Sequence, residues 1–270
     1  MKSLAAVNIR HYERAVEALE EYRKIIDMGW QVLFRSGGVL PWSVPGKTAV
    51  CMVMGSDQGM CGQFNAAIIS HAMSEVDALK GNGLDIKFWA VGQKISGSLS
   101  DMGHESGEQF SVPGSLARIN DEVQNVVQEI ESWRTSKNME QFYVSHNMLS
   151  SGGGYDQVFY RLLPLDREWA GHYKDQKWPA PCIPMVGLPH DEMFSHLVRQ
   201  YLFVSFYRAF AQSLASENAA RLIAMQAAEK NILELEEKLQ ASFREQRQAG
   251  ITNELFDIIS GFEALSDKAF

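Results

Sequence analysis

The chain has 270 residues, 46% of them hydrophobic, which is enough apolar material for a globular core in one or two domains. Its 33 Asp and Glu outnumber 25 Lys and Arg for a net charge of −8, and no basic cluster stands out, which argues against nucleic acid as the main partner. A mean hydropathy of −0.19, the lack of an apolar run of ~18 residues, a Met1-Lys2-Ser3-Leu4 start without a signal-type apolar core, and three scattered cysteines (Cys51, Cys61, Cys182) argue for a soluble protein of a reducing compartment.

The first element is a helix over residues 1 to about 34. Leu4, Ile9, Tyr12, Val16, Leu19, Tyr22 and Ile26 recur at three- to five-residue spacings, with charged residues between them. Ser36-Gly37-Gly38, then Pro41 and Pro45, end it. The middle of the chain alternates strand and helix patterns. Ala49–Met54 reads as a buried strand, followed by the loop Gly55-Ser56-Asp57-Gln58-Gly59-Met60-Cys61-Gly62 and a helix from about Phe64 to Leu79. Ile86–Val91 is a second strand and Ile119–Trp133 a second helix. Phe142–Ser145 and Gln157–Leu163 are two more strands, joined by the turn Ser150-Ser151-Gly152-Gly153-Gly154. This succession predicts a mainly parallel sheet with helices packed on it. A proline-rich connection follows, from Pro164 to Pro189.

From about Asp191 to Leu265 there is no proline and there are only two glycines, Gly250 and Gly261. Apolar residues recur at Leu235, Leu239, Phe243, Ile251, Leu255, Ile258, Phe262 and Leu265. A helix of roughly 75 residues spans on the order of 110 Å, and a sustained stripe over that length predicts a coiled coil. The N-terminal helix, at roughly 34 residues and about 50 Å, can pair antiparallel with less than half of it. Leu235 and Leu239 are expected inside the paired region. The stripe runs on to Leu265 with no partner left in the chain, so something else must surround that end. The segmentation is therefore 1–34, an N-terminal coiled-coil helix; 46–188, an inserted Rossmann-like α/β domain; and 189–270, a long C-terminal coiled-coil helix.

Residues able to carry chemistry are few. The loop Gly55–Gly62 follows a strand, where phosphate loops sit, but it matches neither G-x-G-x-x-G nor G-x-x-x-x-G-K-[ST] and reads as a tight turn. Gly46-Lys47-Thr48 imitates the end of a Walker motif, but Pro41 stands where glycine is needed, and the tripeptide precedes its strand. His190 and His196 are six apart and so lie on different helix faces, unlike a metal pair at i, i+4. Asp101, His104 and Ser106 lie in a Gly/Ser-rich loop without a nucleophile elbow. Cys61 reads as a buried, inert thiol. The charges Glu229, Lys230, Glu234, Glu236, Glu237 and Lys238 read as a solvated helix face. No catalytic, cofactor or metal residue is expected.

Two segments carry a resemblance. The series from Leu214 to Ala228, Ser216-Glu217-Asn218-Ala219-Ala220-Arg221 at its centre, continues through Asn231 to Arg247-Gln248-Ala249-Gly250-Ile251-Thr252-Asn253-Glu254-Leu255 and Ile258-Ile259-Ser260-Gly261. It resembles the C-terminal signature of the gamma subunit of F-type ATP synthases. Ser56-Asp57-Gln58-Gly59-Met60-Cys61-Gly62-Gln63-Phe64-Asn65 is similar to that family's S-[TS]-D-[RK]-G-L-C-G-G-x-N loop, with Gln58 for the basic residue and Gln63 for the glycine. Met1–Val7 is similar to its first helix, and the resemblance spans nearly the whole chain.

The resemblance implies a non-catalytic rotor shaft. Two long helices form an antiparallel coiled coil inside a hexamer of alpha and beta subunits, and the α/β domain sits at the foot with the epsilon subunit and the c ring. ATP chemistry would belong to the beta subunits. Arg247, Gln248, Thr252 and Glu254 fall where the family contacts the beta-subunit catch loops, and Arg199, Tyr201 and Tyr207 fall near the foot. The complex would place the chain peripherally on the cytoplasmic face of the cell membrane, touching the membrane only through the complex. Family members usually begin with about one more helical segment, so such a segment is expected upstream of Met1. The loop substitutions and short α/β connections point to a divergent branch. The competing reading from a different class is a coiled-coil stalk adaptor or assembly protein, which would co-purify with other partners.

Overall fold

The structure is a computed structural model that describes residues 2–38, 47–81, 83–104, 106–136, 139–150, 154–179, 181–182 and 184–266. Gly46, Pro41, Pro45 and the turn residues 151–153 lie outside the described residues, as do the side chains of Phe262 and Leu265. The chain divides into two compact units, Met1–Ile223 and Ala224–Phe270.

The first unit opens with α1, Lys2–Arg35. It ends where Gly37 takes φ +93° and the Gly38 N–H reaches back to the Leu33 carbonyl at 2.9 Å. A left-handed residue is what that closure requires, and glycine adopts it without Cβ strain.

The α/β core follows in chain order: β1 (Thr48–Met54), α2 (Phe64–Lys80), β2 (Asp85–Val91), α3 (Gln93–Asp101), β3 (Ser106–Phe110), α4 (Leu116–Ser136), β4 (Gln141–Leu149) and β5 (Tyr155–Leu163). The strands form one sheet in the order β3-β2-β1-β4-β5. Its first four strands are parallel, and β5 closes the edge antiparallel to β4, with Ser145 opposite Phe159. The parallel part is as the strand-helix alternation predicts.

The period-two geometry of β1 divides its side chains between two layers. Val50, Met52 and Met54 face a core shared with Ile119, Val123 and Ile130 of α4, while Ala49, Cys51 and Val53 face Ile68, Ala72 and Val76 of α2 and Ile95 and Leu99 of α3. Three elements depart from the sequence reading. The stretch read as a Gly/Ser-rich loop holds α3 and β3, so Asp101 ends a helix and Ser106 begins a strand. The proline-rich connection contains α5 (Arg167–Asp175), whose first turn is capped by Asp166 accepting from the Trp169 N–H at 2.8 Å.

The long helix α6 spans His190–Ser266 and runs through both units. In the first unit it completes the α4 side of the sheet with Leu202, Phe206, Phe210 and Leu214. It also shares a third core with Ile26, Trp30, Leu33 and Phe34 of α1 and Tyr173 of α5. Contacts between α1 and α6 descend one helix as they climb the other. Trp30 meets Phe194 at 5.7 Å between centroids, Tyr22 donates to Gln200 at 2.7 Å, Glu20 pairs with Arg208 at 3.4 Å, and Tyr12 feels the charge of Glu217.

In the second unit every described side chain from 231 to 260 is exposed. Leu235 and Leu239, expected inside the paired region, are 57% and 62% exposed. The described residues of α1 pair lower down: Tyr12 feels the charge of Glu217, eighteen positions before Leu235, and only Lys2–His11 of the described helix precede it.

Candidate functional site

The second unit presents apolar side chains without cover. Ile232, Leu235, Leu239, Phe243, Ile251, Leu255 and Ile258 are all more than half exposed, and Ile259 is 45% exposed. Between and beside them lie Arg247, Gln248, Thr252 and Glu254, all exposed. The Thr252 hydroxyl donates to the Gln248 carbonyl at 2.9 Å, which is a bond within the helix and leaves the rest of both side chains to solvent. The Glu229–Lys238 charges are exposed as expected of a solvated face, with Lys230 and Glu234 at 3.8 Å.

The three residues expected near the foot, Arg199, Tyr201 and Tyr207, lie on α6 in the first unit but in unlike surroundings. Arg199 is exposed and bonds Glu131 of α4 at 3.1 Å. Tyr201 is partly buried against Trp169, their rings 5.5 Å apart, and burial raises its phenol pKa. Tyr207 is half-buried beside Phe203, at 6.2 Å.

At the carboxyl ends of the strands, where open α/β sheets receive ligands, side chains fill the space. Phe64 is fully buried and meets Tyr155 edge to face at 5.5 Å, and both pack with Cys61 and with Ala220 of α6. The Gly55–Gly62 loop is spent on internal bonds. Asn65 accepts from the Ser56 N–H at 3.0 Å and donates to the Ser56 hydroxyl at 2.8 Å, while Asp57 accepts from the N–H groups of Gln93 at 2.9 Å and Val112 at 3.2 Å. Those bonds tie the β1, β2 and β3 ends together, the role of a tight turn.

Cys61 is 3% exposed, with the Asn65 amide 3.4 Å from its sulfur. Lys47 and Thr48 stand at the opposite, amino end of β1. His190 Nε2 lies 3.0 Å from the Ser36 hydroxyl, and His196 lies 3.9 Å from Glu192. The His104 ring packs on Phe88 at 5.1 Å rather than against Ser106.

Two buried polar pairs escaped the sequence reading. Glu217, 6% exposed, bonds Arg221 one turn on, and burial raises its pKa against the lowering effect of that guanidinium. His146, 3% exposed, donates through Nε2 to the Gln212 side-chain oxygen at 2.9 Å, and burial lowers its pKa to about 4. Glu217 and Arg221 stand at i, i+4 and are the only two charged residues between Arg208 and Glu229, a spacing that could have been read as a pair. Nothing local to His146 announced Gln212.

A sequence model of the ATP synthase family matches residues 1–265. The ATP synthase gamma chain of Glaesserella parasuis serovar 5 is 30% identical over 220 residues, covering 79% of this chain and 73% of that one. The chain belongs to the ATP synthase gamma-chain family. A second gamma chain, from Histophilus somni strain 2336, is 30% identical over 222 residues, covering 81% and 75%. The fold agrees with solved structures. A chain of the Euglena gracilis mitochondrial ATP synthase, described as OSCP/F1/c-ring, superposes with a TM-score of 0.61 at 13% identity, over 96% of this chain and 95% of that one. A chain of the Tetrahymena thermophila enzyme's central stalk and c-ring gives 0.57 at 20% identity, over 85% and 97%. As a gamma-family chain it is a non-catalytic subunit of its complex. No helix among the described residues is long and apolar enough to cross a membrane.

Proposed function

We propose that the chain is the central rotor shaft of an F-type ATP synthase, carrying rotation between an ion-driven c ring and a catalytic hexamer of alpha and beta subunits. The supporting observation is the run of exposed apolar side chains from Ile232 to Ile259 in a gamma-family chain. Leaving that surface in water costs roughly 25 cal/mol per Å², so a partner that encloses it gains that free energy. In this reading α1 and α6 form an antiparallel coiled coil, supported by the opposed order of their contacts. The functional parts are the 1–34 helix, the 46–188 foot and the 189–270 helix.

Arg247, Gln248, Thr252 and Glu254 engage beta-subunit loops, and Arg199, Tyr201 and Tyr207 belong to the foot that meets the epsilon subunit and the c ring. The chain acts at the cytoplasmic face of the cell membrane, held there by the complex, and takes no nucleic acid. The Gln58 and Gln63 substitutions mark a divergent branch. Reconstitution with alpha and beta subunits tests the reading: a shaft gives a stable complex whose ATP hydrolysis turns a bead fixed to the foot. A chain that co-purifies with neither subunit rules it out.

A further inference from the structure

In the first unit, between α1, the strands β4 and β5, α5 and α6, lies a cavity of about 460 Å³, within the ~300–1,000 Å³ usual for small-molecule sites. One wall is aromatic. Trp169 meets Tyr173 at 4.7 Å and Tyr201 at 5.5 Å, both edge to face, beside the buried Val204.

The charged groups around it cancel in pairs. Glu20 is 3.4 Å from Arg208 and 3.4 Å from Arg23, and Arg23 is 3.9 Å from Asp27. An ion of either sign would meet its own charge beside each attractive partner, so an uncharged ligand suits the cavity better. Asp27 takes the Tyr173 hydroxyl on one oxygen at 3.0 Å, while its other oxygen stands 3.9 Å from Arg23, beyond hydrogen-bond length. A carboxylate acceptor with spare capacity thus sits next to a guanidinium donor. A hydroxyl, which both donates and accepts, satisfies the two at once.

We propose that this cavity binds an uncharged aromatic alcohol, its ring against Trp169, Tyr173 and Tyr201 and its hydroxyl between Asp27 and Arg23. The occupant would touch α1, α5, α6 and the β4–β5 strands together, and so brace the two long helices against the sheet.

The test uses the purified full chain with 2-naphthol as probe, followed by titration calorimetry and thermal melting. One saturable equivalent per chain and a raised melting temperature are expected, since a ligand held only by the folded state stabilises it. 2-Methylnaphthalene, which lacks the hydroxyl, and naphthalene-2-carboxylate should each bind at least tenfold more weakly. Asp27→Asn should weaken 2-naphthol about fivefold, and Met148→Trp, which fills the cavity from β4, should abolish saturable binding. If Met148→Trp does not fold, Asp27→Asn and the two analogues still decide. No saturable 2-naphthol binding, equal affinity for 2-methylnaphthalene, or binding indifferent to both substitutions would overturn the proposal; the last would place the probe outside this cavity.

Discussion

The rings of Phe142 on β4 and Phe206 on α6 meet edge to face, 5.6 Å apart, and neither is exposed at all. This contact fastens the long helix to the sheet, so Phe206→Ala should cost ~3–5 kcal/mol of folding free energy. Leu239→Ala, at a side chain 62% exposed, should stay within ~0.5 kcal/mol. Urea unfolding of the isolated chain checks both. Equal losses would mean that the exposed stripe already packs against something in solution.

His146 should make stability pH-dependent. Its folded pKa of about 4 lies below the ordinary 6.5, because burial disfavours the imidazolium. The unfolded chain therefore binds more protons between those values, and the contribution present above pH 6.5 is lost as pH falls toward 4, at about 1.4 kcal/mol per pH unit. His146→Gln should flatten the slope of the urea midpoint between pH 6.5 and 4.5 relative to wild type. An unchanged slope assigns the effect to other groups.

Gly92 is held at φ +97°, and a Cβ there would stand 2.8 Å from both the carbonyl carbon and the oxygen of Ser56. Those are backbone atoms of a strand-end loop and cannot move aside cheaply. Gly92→Ala should cost about 2–5 kcal/mol, from the forbidden dihedral and the overlap together. Melting of the purified variant measures it, and a change under ~1 kcal/mol would show that the loop yields.

Replacing Arg247, Gln248 and Thr252 together by alanine separates contact from fold. Alanine is the best helix former and all three side chains are exposed, so the isolated variant should melt like wild type. Assembly with alpha and beta subunits, or coupling in the complex, should weaken. Normal rotation and coupling would make these residues a solvated face only.

The purified chain should show no measurable affinity for Mg-ATP, because Phe64 and Tyr155 occupy the crevice at the strand ends. Micromolar binding by calorimetry would contradict that packing argument.

What the sequence disclosed followed burial. β1 was legible because both its faces are buried, which makes Ala49–Met54 an unbroken apolar run, and α2 because Ile68, Ala72 and Val76 are buried at the helical period. α3 was not, since its nine residues bury only Ile95 and Leu99 and carry Gly97 between them. β3, Ser-Gly-Glu-Gln-Phe at the sheet edge, has no alternation to read; its Gly107 is there because a Cβ would come within 2.6 Å of the Trp133 ring. α5 buries one residue, Tyr173, although Asp166 before Glu168 and the Trp169–Tyr173 spacing of four were signals of a capped helix. At the candidate site, the tip residues came from the family signature. Asp27 meets Tyr173 across 146 positions, and no local pattern anticipates such a pairing.

The uncovered Ile, Leu and Phe side chains of the second unit also bear on how the subunit must be produced. A copy made without its assembly partners shows folding-quality surveillance the same apolar display as a damaged protein, and chaperones and proteases act on that display. Free copies should therefore be short-lived and aggregation-prone when overproduced alone. Balanced synthesis with the other subunits of its complex is then expected from the exposure of residues 232–259 themselves.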